Sequence, residues 1–302
     1  MSPRAVVVYG PTASGKSALA LALAARDGGV VINADAAQVY ACWRVLTARP
    51  GDGDLARAPH LLYGHVGCAT RYSTGAWLRD AAAGLADARA RGLRPIVVGG
   101  TGLYLAALTE GLAAIPATPP ELRARSEALI RAGGLGELRA ELAARDPETA
   151  ARLDPANPRR VQRAWEVLVA TGRGLAAWHA EPVTPLLPSR DCVRVALCPE
   201  ISTLNNNIMF RFHQMLEAGA LDECRRFLAA GLAPDLPSAR VLGAAPLFAF
   251  LRGEAELAAA TEAAVTATRQ FAKRQRTWLR NRFPDWPGLD PAADPLAAIP
   301  PH

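Results

Sequence analysis

Apolar and polar positions along the chain alternate between two textures. Ala5–Tyr9 is a short, wholly apolar run, followed by a glycine-bearing loop and then an Ala- and Leu-rich stretch over 17–26. That order predicts a buried strand, a loop and a helix. A second apolar run, GVVINA over 29–34, ends at Asp35. The alanine-rich stretch 77–91 predicts a helix that Gly92 breaks, and RPIVVG over 94–99 predicts a third buried strand. Buried strands separated by helices predict an α/β fold with a doubly wound parallel sheet, whose ligands sit outside the carboxyl ends of the strands. Those ends are residues 10–17, 35–38 and 99–102, which should meet at one cleft.

Beyond Ile115 the texture changes. Pro116, Pro119 and Pro120 punctuate the chain, and charged helical patterns follow over 121–132, 135–145 and 158–171. The next strand-like run is 193–197, which should return the chain to the sheet. Helical patterns then cover 205–231 and 254–282. The predicted organisation is a discontinuous core of 1–115 with 190–286, a helical insertion over 116–189, and a Pro- and Ala-rich loose tail over 287–302.

Composition narrows the class. The chain has 302 residues, 50% of them hydrophobic, which is enough for a sizeable core. No apolar run approaches the roughly 20 residues that span a bilayer. Met1, Ser2 and Pro3 lead straight into the first strand without signal-peptide features, so the expected location is the cytoplasm, with no membrane partner. Five cysteines without a C-x-x-C pair suit reduced thiols better than disulfides or a zinc site. The net charge is +6, and the segment 269–283 carries six cations and no acid, so the remainder sums to zero. Only two of the 34 basic residues are lysines, Lys16 and Lys273. In so arginine-rich a chain, Lys16 marks a position suited to a compact ammonium.

Five groups of residues carry candidate chemistry. Gly10, Pro11, Thr12, Ala13, Ser14, Gly15, Lys16 and Ser17 read G-x-x-x-x-G-K-S, a loop whose amides, lysine and following helix cradle phosphate, with the Ser17 hydroxyl suited to Mg²⁺. Asp35, at the second strand end, could help hold Mg²⁺, act as a general base, or simply cap a turn. Thr101 lies among glycines at the third strand end, where a hydroxyl could donate to a leaving-group oxygen or belong to a plain turn. Arg269, Lys273, Arg276 and Arg280 share one helix face, with Phe271, Trp278 and Phe283 between them. That face suits phosphate-backbone contact, or a solvated helix packed on the sheet. Arg159, Arg160 and Arg163 follow Pro158 near a helix N-terminus, where cations oppose the dipole and so point to binding. The five histidines form no metal spacing.

Together the stretches GPTASGKSALALALA (10–24), INADAAQVY (32–40), RPIVVGGTGLYLAAL (94–108), RRVQRAWEVLVATGR (159–173) and TRQFAKRQRTWLR (268–280) resemble the tRNA dimethylallyltransferases, in the family's order and over most of the chain. The resemblance implies transfer of a dimethylallyl group from its diphosphate to N6 of the adenosine 3′-adjacent to the anticodon, with release of pyrophosphate. It implies Asp35 as base, Thr101 at the bridging or leaving oxygen, and the loop with Mg²⁺ on the pyrophosphate. It implies tRNA contacts at Asp35, Ala36, Ala37, Gln38, Thr101, Arg123, Arg159, Arg160, Val161, Gln162, Arg163, Lys273 and Arg276, and a monomer. The chain departs from the family's pattern at Ala36 (commonly Ser), at Leu61-Leu62 (a histidine pair across 60–62 is usual) and near Gly243-Ala244, where Gly-Tyr and a following glutamine are usual. Three rivals share the loop: a small-molecule kinase, an adenylate dimethylallyltransferase acting on free nucleotide, and a non-catalytic RNA-binding protein.

Overall fold

The computed structural model describes residues 4–302; Met1, Ser2 and Pro3, over which no targeting segment was expected, lie outside the described residues. The chain divides into two compact units, one of residues up to 110 together with 185–302, the other of residues 111–184.

The larger unit is built on a six-stranded sheet among the described residues, in the order β3-β2-β4-β1-β5-β6 with every pairing parallel. The strands are β1 (Ala5–Tyr9), β2 (Gly29–Asn33), β3 (His60–Leu61), β4 (Arg94–Gly99), β5 (Cys192–Leu197) and β6 (Gly288–Leu289). Every residue of β1, β2 and β4 is buried, as expected of central strands covered on both faces. Their exits lie side by side, since β4 pairs with both β1 and β2. The helices of this unit are α1 (Lys16–Asp27), α2 (Asp52–Arg57), α3 (Thr74–Ala90), α4 (Gly102–Glu110) and, beyond the insertion, α10 (Ile201–Glu217), α11 (Ala220–Ala229), α12 (Ala244–Leu251) and α13 (Leu257–Arg282). One apolar cluster on each sheet face forms the core.

The smaller unit holds α5 (Pro120–Arg131), α6 (Leu135–Arg145), α7 (Pro147–Arg152), α8 (Pro158–Thr171) and α9 (Leu175–His179). Leu138, Val161 and Trp165 form its centre. The Asn157 side chain caps α8 by accepting from Arg160 N–H at 3.2 Å, and Pro158 begins the helix.

Three expectations need correction. The pattern over 205–231 is two helices, because Gly219 adopts φ 95° and breaks the run between α10 and α11. The segment 287–302 is no loose tail. Gly288–Leu289 pairs with β5, Ile299 is buried among Val6, Val8 and Leu23, and Arg26 and Arg94 donate to the carbonyls of Ile299 (3.1 Å) and Pro300 (2.9 Å). A few apolar residues and two arginines suffice to dock a Pro-rich segment. The cysteines are not all free thiols: Cys42 and Cys68 are disulfide-bonded, with Cα atoms 6.0 Å apart. The pairing of Tyr40 with Val66 and the bond from Ala41 N to Val66 O (2.9 Å) bring them together, which sequence spacing does not reveal.

Candidate active site

The phosphate loop leaves β1 and enters α1 through two left-handed residues, Ala13 (φ 63°) and Gly15 (φ 86°). Such alternation turns backbone N–H groups inward to make an anion nest. Leu19 N–H is bonded to Gly15 O at 3.1 Å, so the amides of the first helical turn before it lack intrahelical partners and, with the helix dipole, favour an anion. The Ser14 hydroxyl is buried with no hydrogen-bond partner among the described residues, a polar atom left for a ligand. Lys16 Nζ folds back to Pro11 O at 3.2 Å. Burial pulls its ammonium down to about 8; Asp35 opposes that shift and Arg211 adds to it.

Asp35 sits just beyond β2. Its N–H donates to Asn33 Oδ1 (2.8 Å), and its Oδ1 accepts from Ala37 N–H (2.9 Å), an arrangement that fixes the carboxylate's direction. Thr101 faces it from the end of β4: its Oγ1 accepts from Ala36 N–H at 2.9 Å, and its own N–H donates to Ala34 O at 3.2 Å. The two strand exits are therefore tied directly to each other.

A cavity of about 610 Å³ opens above these groups. Thr12, Asp35, Ala36, Ala37 and Thr101 line one side, and Leu46, Ile208, Phe212, Phe271 and Trp278 give it an apolar wall. The segment 44–46 that forms part of the wall hangs on Glu223, which accepts from the amides of Arg44, Val45 (3.0 Å) and Leu46 (2.9 Å).

Arg211, which the sequence analysis did not single out, completes the charged side. Its guanidinium donates to Thr12 Oγ1 and lines the cavity; burial lowers its pKa from the ordinary value, and Asp35 offsets part of that. No motif marks it, for it is one arginine on α10 after an Asn-rich turn. Gln275 also reaches the loop, accepting from Thr12 N–H at 2.8 Å. It lies with Ala264, Thr268 and Ala272 on the buried face of α13, a place set by how that helix packs on the sheet.

The remaining residues are placed as follows. Gln38 Nε2 is engaged by Thr47 O (2.9 Å) and Ala48 O (3.0 Å), which makes it a brace for its own loop. Arg159 and Arg160 are exposed. Val161 is buried against Leu138 and Trp165, so its side chain belongs to the packing of the smaller unit. Gln162 donates to Ser126 Oγ (2.8 Å) and Glu166 Oε1 (2.9 Å), and Arg163 donates to Thr118 Oγ1 (2.6 Å). Arg123 lies near enough to Arg163 to lower its pKa further after burial has done so. Lys273 is exposed and Arg276 half-buried on α13. Among the described residues, no group of three or more His, Cys, Asp or Glu could hold a metal. What the loop offers a hard cation is the exposed Ser17 hydroxyl beside the anion nest, which fits an ion held mainly by phosphate oxygens and water.

A parallel sheet with a phosphate loop at its carboxyl edge defines a P-loop α/β protein. Residues 38–282 match the family model described as IPP transferase, and residues 3–61 match that described as isopentenyl transferase. The chain is 56% identical over 285 residues to a tRNA dimethylallyltransferase of Cereibacter sphaeroides (strain KD131), covering 94% of this chain and 88% of that one. It is 56% identical over 288 residues to that of Dinoroseobacter shibae, covering 95% of each. Among solved structures, it is similar to the full-length tRNA isopentenylpyrophosphate transferase of Bacillus halodurans (TM-score 0.68, 30% identity, 95% of this chain and 89% of that one). It is also similar to a eukaryotic dimethylallyltransferase described as acting on tRNA (TM-score 0.82, 27% identity, 96% and 74%). The chain belongs to the IPP transferase family.

Proposed function

We propose that this protein transfers the dimethylallyl group of dimethylallyl diphosphate to N6 of the adenosine 3′-adjacent to the anticodon in tRNA. The observation that carries this reading is one cavity in which Asp35 and Thr101 sit beside the phosphate-loop residue Thr12 and an apolar wall. A prenyl diphosphate needs both an anion grip and an apolar surface, and the amine that attacks it needs a base. In the reaction the N6–C1 bond forms as the bond from C1 to the diphosphate oxygen breaks. The N6 proton passes to Asp35, and pyrophosphate leaves with the electron pair. Lys16, the nest amides and Arg211 stabilise charge growing on the leaving group, and Thr101 is placed to hold its bridging oxygen. Ser17 is the residue that would hold Mg²⁺, which would supply further neutralisation of that charge. The adenine must leave its stack to enter the cavity. Arg123, Arg159, Arg160 and Arg163 on the smaller unit, and Lys273 and Arg276 on α13, are read as contacts to the RNA backbone.

The enzyme is read as a cytosolic monomer. A reducing cytosol would leave the Cys42–Cys68 disulfide open to reduction, and Glu223 would still hold the adjoining loop through the amides of Val45 and Leu46. Labelled dimethylallyl diphosphate offered to tRNA, AMP and ATP in competition tests the function. Label in tRNA supports it; label in AMP, or ATP consumed without prenyl transfer, overturns it.

A further inference from the structure

The ladder between β1 and β4 ends at the Tyr9–Gly99 pair, and the two loops that carry the chemistry begin just past it. One buried side chain bridges them. Gln275 Oε1 accepts from Thr12 N–H at 2.8 Å, and its Nε2 donates to Gly100 O at 2.8 Å. The residue is itself anchored, since its main-chain carbonyl accepts from Tyr9 Oη at 2.8 Å. The fit is close: a Cβ on Gly100 would stand 2.1 Å from Gln275 Nε2 and 3.2 Å from Gly10 O. Thr12 belongs to the phosphate loop, and Gly100 precedes Thr101.

We infer that Gln275 is a positioning residue that fixes the separation between the diphosphate grip and the Thr101 side of the cavity. A primary amide suits this place because it presents one donor and one acceptor in a fixed plane, matching one N–H and one carbonyl. Removing it strands the buried Gly100 carbonyl and leaves the half-buried Thr12 N–H without its acceptor. Its neighbours Lys273 and Arg274 are exposed and Arg276 is half-buried, so α13 turns the strut inward and its cations outward or, for Arg274, to the cavity edge. The inference rests on the proposed transfer reaction for what is positioned, but the strut is defined by geometry alone.

Two variants test it. Gln275→Glu keeps the acceptor for Thr12 N–H but sets a carboxylate oxygen against Gly100 O, and protonation restores the donor. Gln275→Leu removes both bonds at every pH. With dimethylallyl diphosphate and an anticodon stem-loop, kcat of both variants should fall about 10²-fold at pH 8, the scale of a misplaced reacting group. KM for the stem-loop should stay within about twofold, because no RNA contact is altered. Gln275→Glu should regain activity relative to wild type as pH falls to 6, and Gln275→Leu should not. Unchanged kcat in both variants overturns the inference, as does a loss in Gln275→Glu that is equal at pH 6 and pH 8. Should the wild type transfer no prenyl group, the proposed function fails and binding of inorganic pyrophosphate decides the strut. About tenfold weaker binding to Gln275→Leu than to wild type supports it, and equal binding overturns it.

Discussion

At the residue scale the account turns on a few groups around one cavity. Asp35 is the only carboxylate among the lining residues, held in place by Ala37 N–H. Asp35→Asn keeps the shape and loses the proton acceptor, so kcat should fall about 10²-fold or more with donor binding nearly unchanged; near-normal turnover would remove Asp35 from the role of base. Lys16 gives a pH signature. Burial holds its ammonium down to about 8, so the free site loses a positive charge as pH rises through that value. A bound diphosphate favours the charged form and raises that pKa. Donor affinity, measured without RNA, should therefore weaken above about pH 8, and binding at pH 8.5 should take up a proton. Calorimetry in buffers of different ionisation enthalpy reads both. The loop, Asp35 and Thr101 were legible because each lies at a strand end in a recognisable local pattern. Arg211 and Gln275 were not singled out, because their positions depend on how α10 and α13 pack onto the sheet, which no local spacing encodes.

At the element scale, β1, β2 and β4 were legible as unbroken apolar runs, and burial on both faces is the reason the runs are unbroken. β3 and β6 have two residues each, too few to carry a period. The docking of 287–302 was hidden for a similar reason: its contacts are three spaced apolar residues and carbonyl groups that any sequence supplies. The arginines that donate to those carbonyls are held by Asp27. It forms a buried pair with Arg94 (2.6 Å) and bonds Arg26 (2.8 Å). Burial pushes the Asp27 carboxyl up, but the hydrogen bonds from Arg26 and Arg94 prevail and hold it below the usual carboxylate range. A depressed carboxylate adds stability above its unfolded pKa and loses it as pH falls through the lower folded value. Thermal stability should therefore drop below about pH 4 through this pair. Asp27→Asn leaves a buried guanidinium uncompensated and should cost about 3–5 kcal/mol at neutral pH, read by denaturant melts. A cost near zero would show that the tail is held without the pair.

At the scale of the whole molecule, charge and cavity divide the work. The six cations of 269–283 account for the entire net charge of +6. If they and the arginines near the start of α8 meet RNA phosphates, tRNA affinity should fall steeply between 50 and 200 mM salt, by about 10³-fold for some six contacts. Donor affinity, set inside the cavity, should change far less. Equal salt sensitivity of the two would contradict the division. The central claim is that the acceptor is a single exocyclic amine. It is tested most directly with labelled dimethylallyl diphosphate and two anticodon stem-loops that differ only at the nucleoside 3′ of the anticodon, adenosine in one and the purine nucleoside lacking the amine in the other. The account predicts label in the first, with one pyrophosphate released per prenyl group transferred, and none in the second. Label in the second, or none in the first, would contradict it.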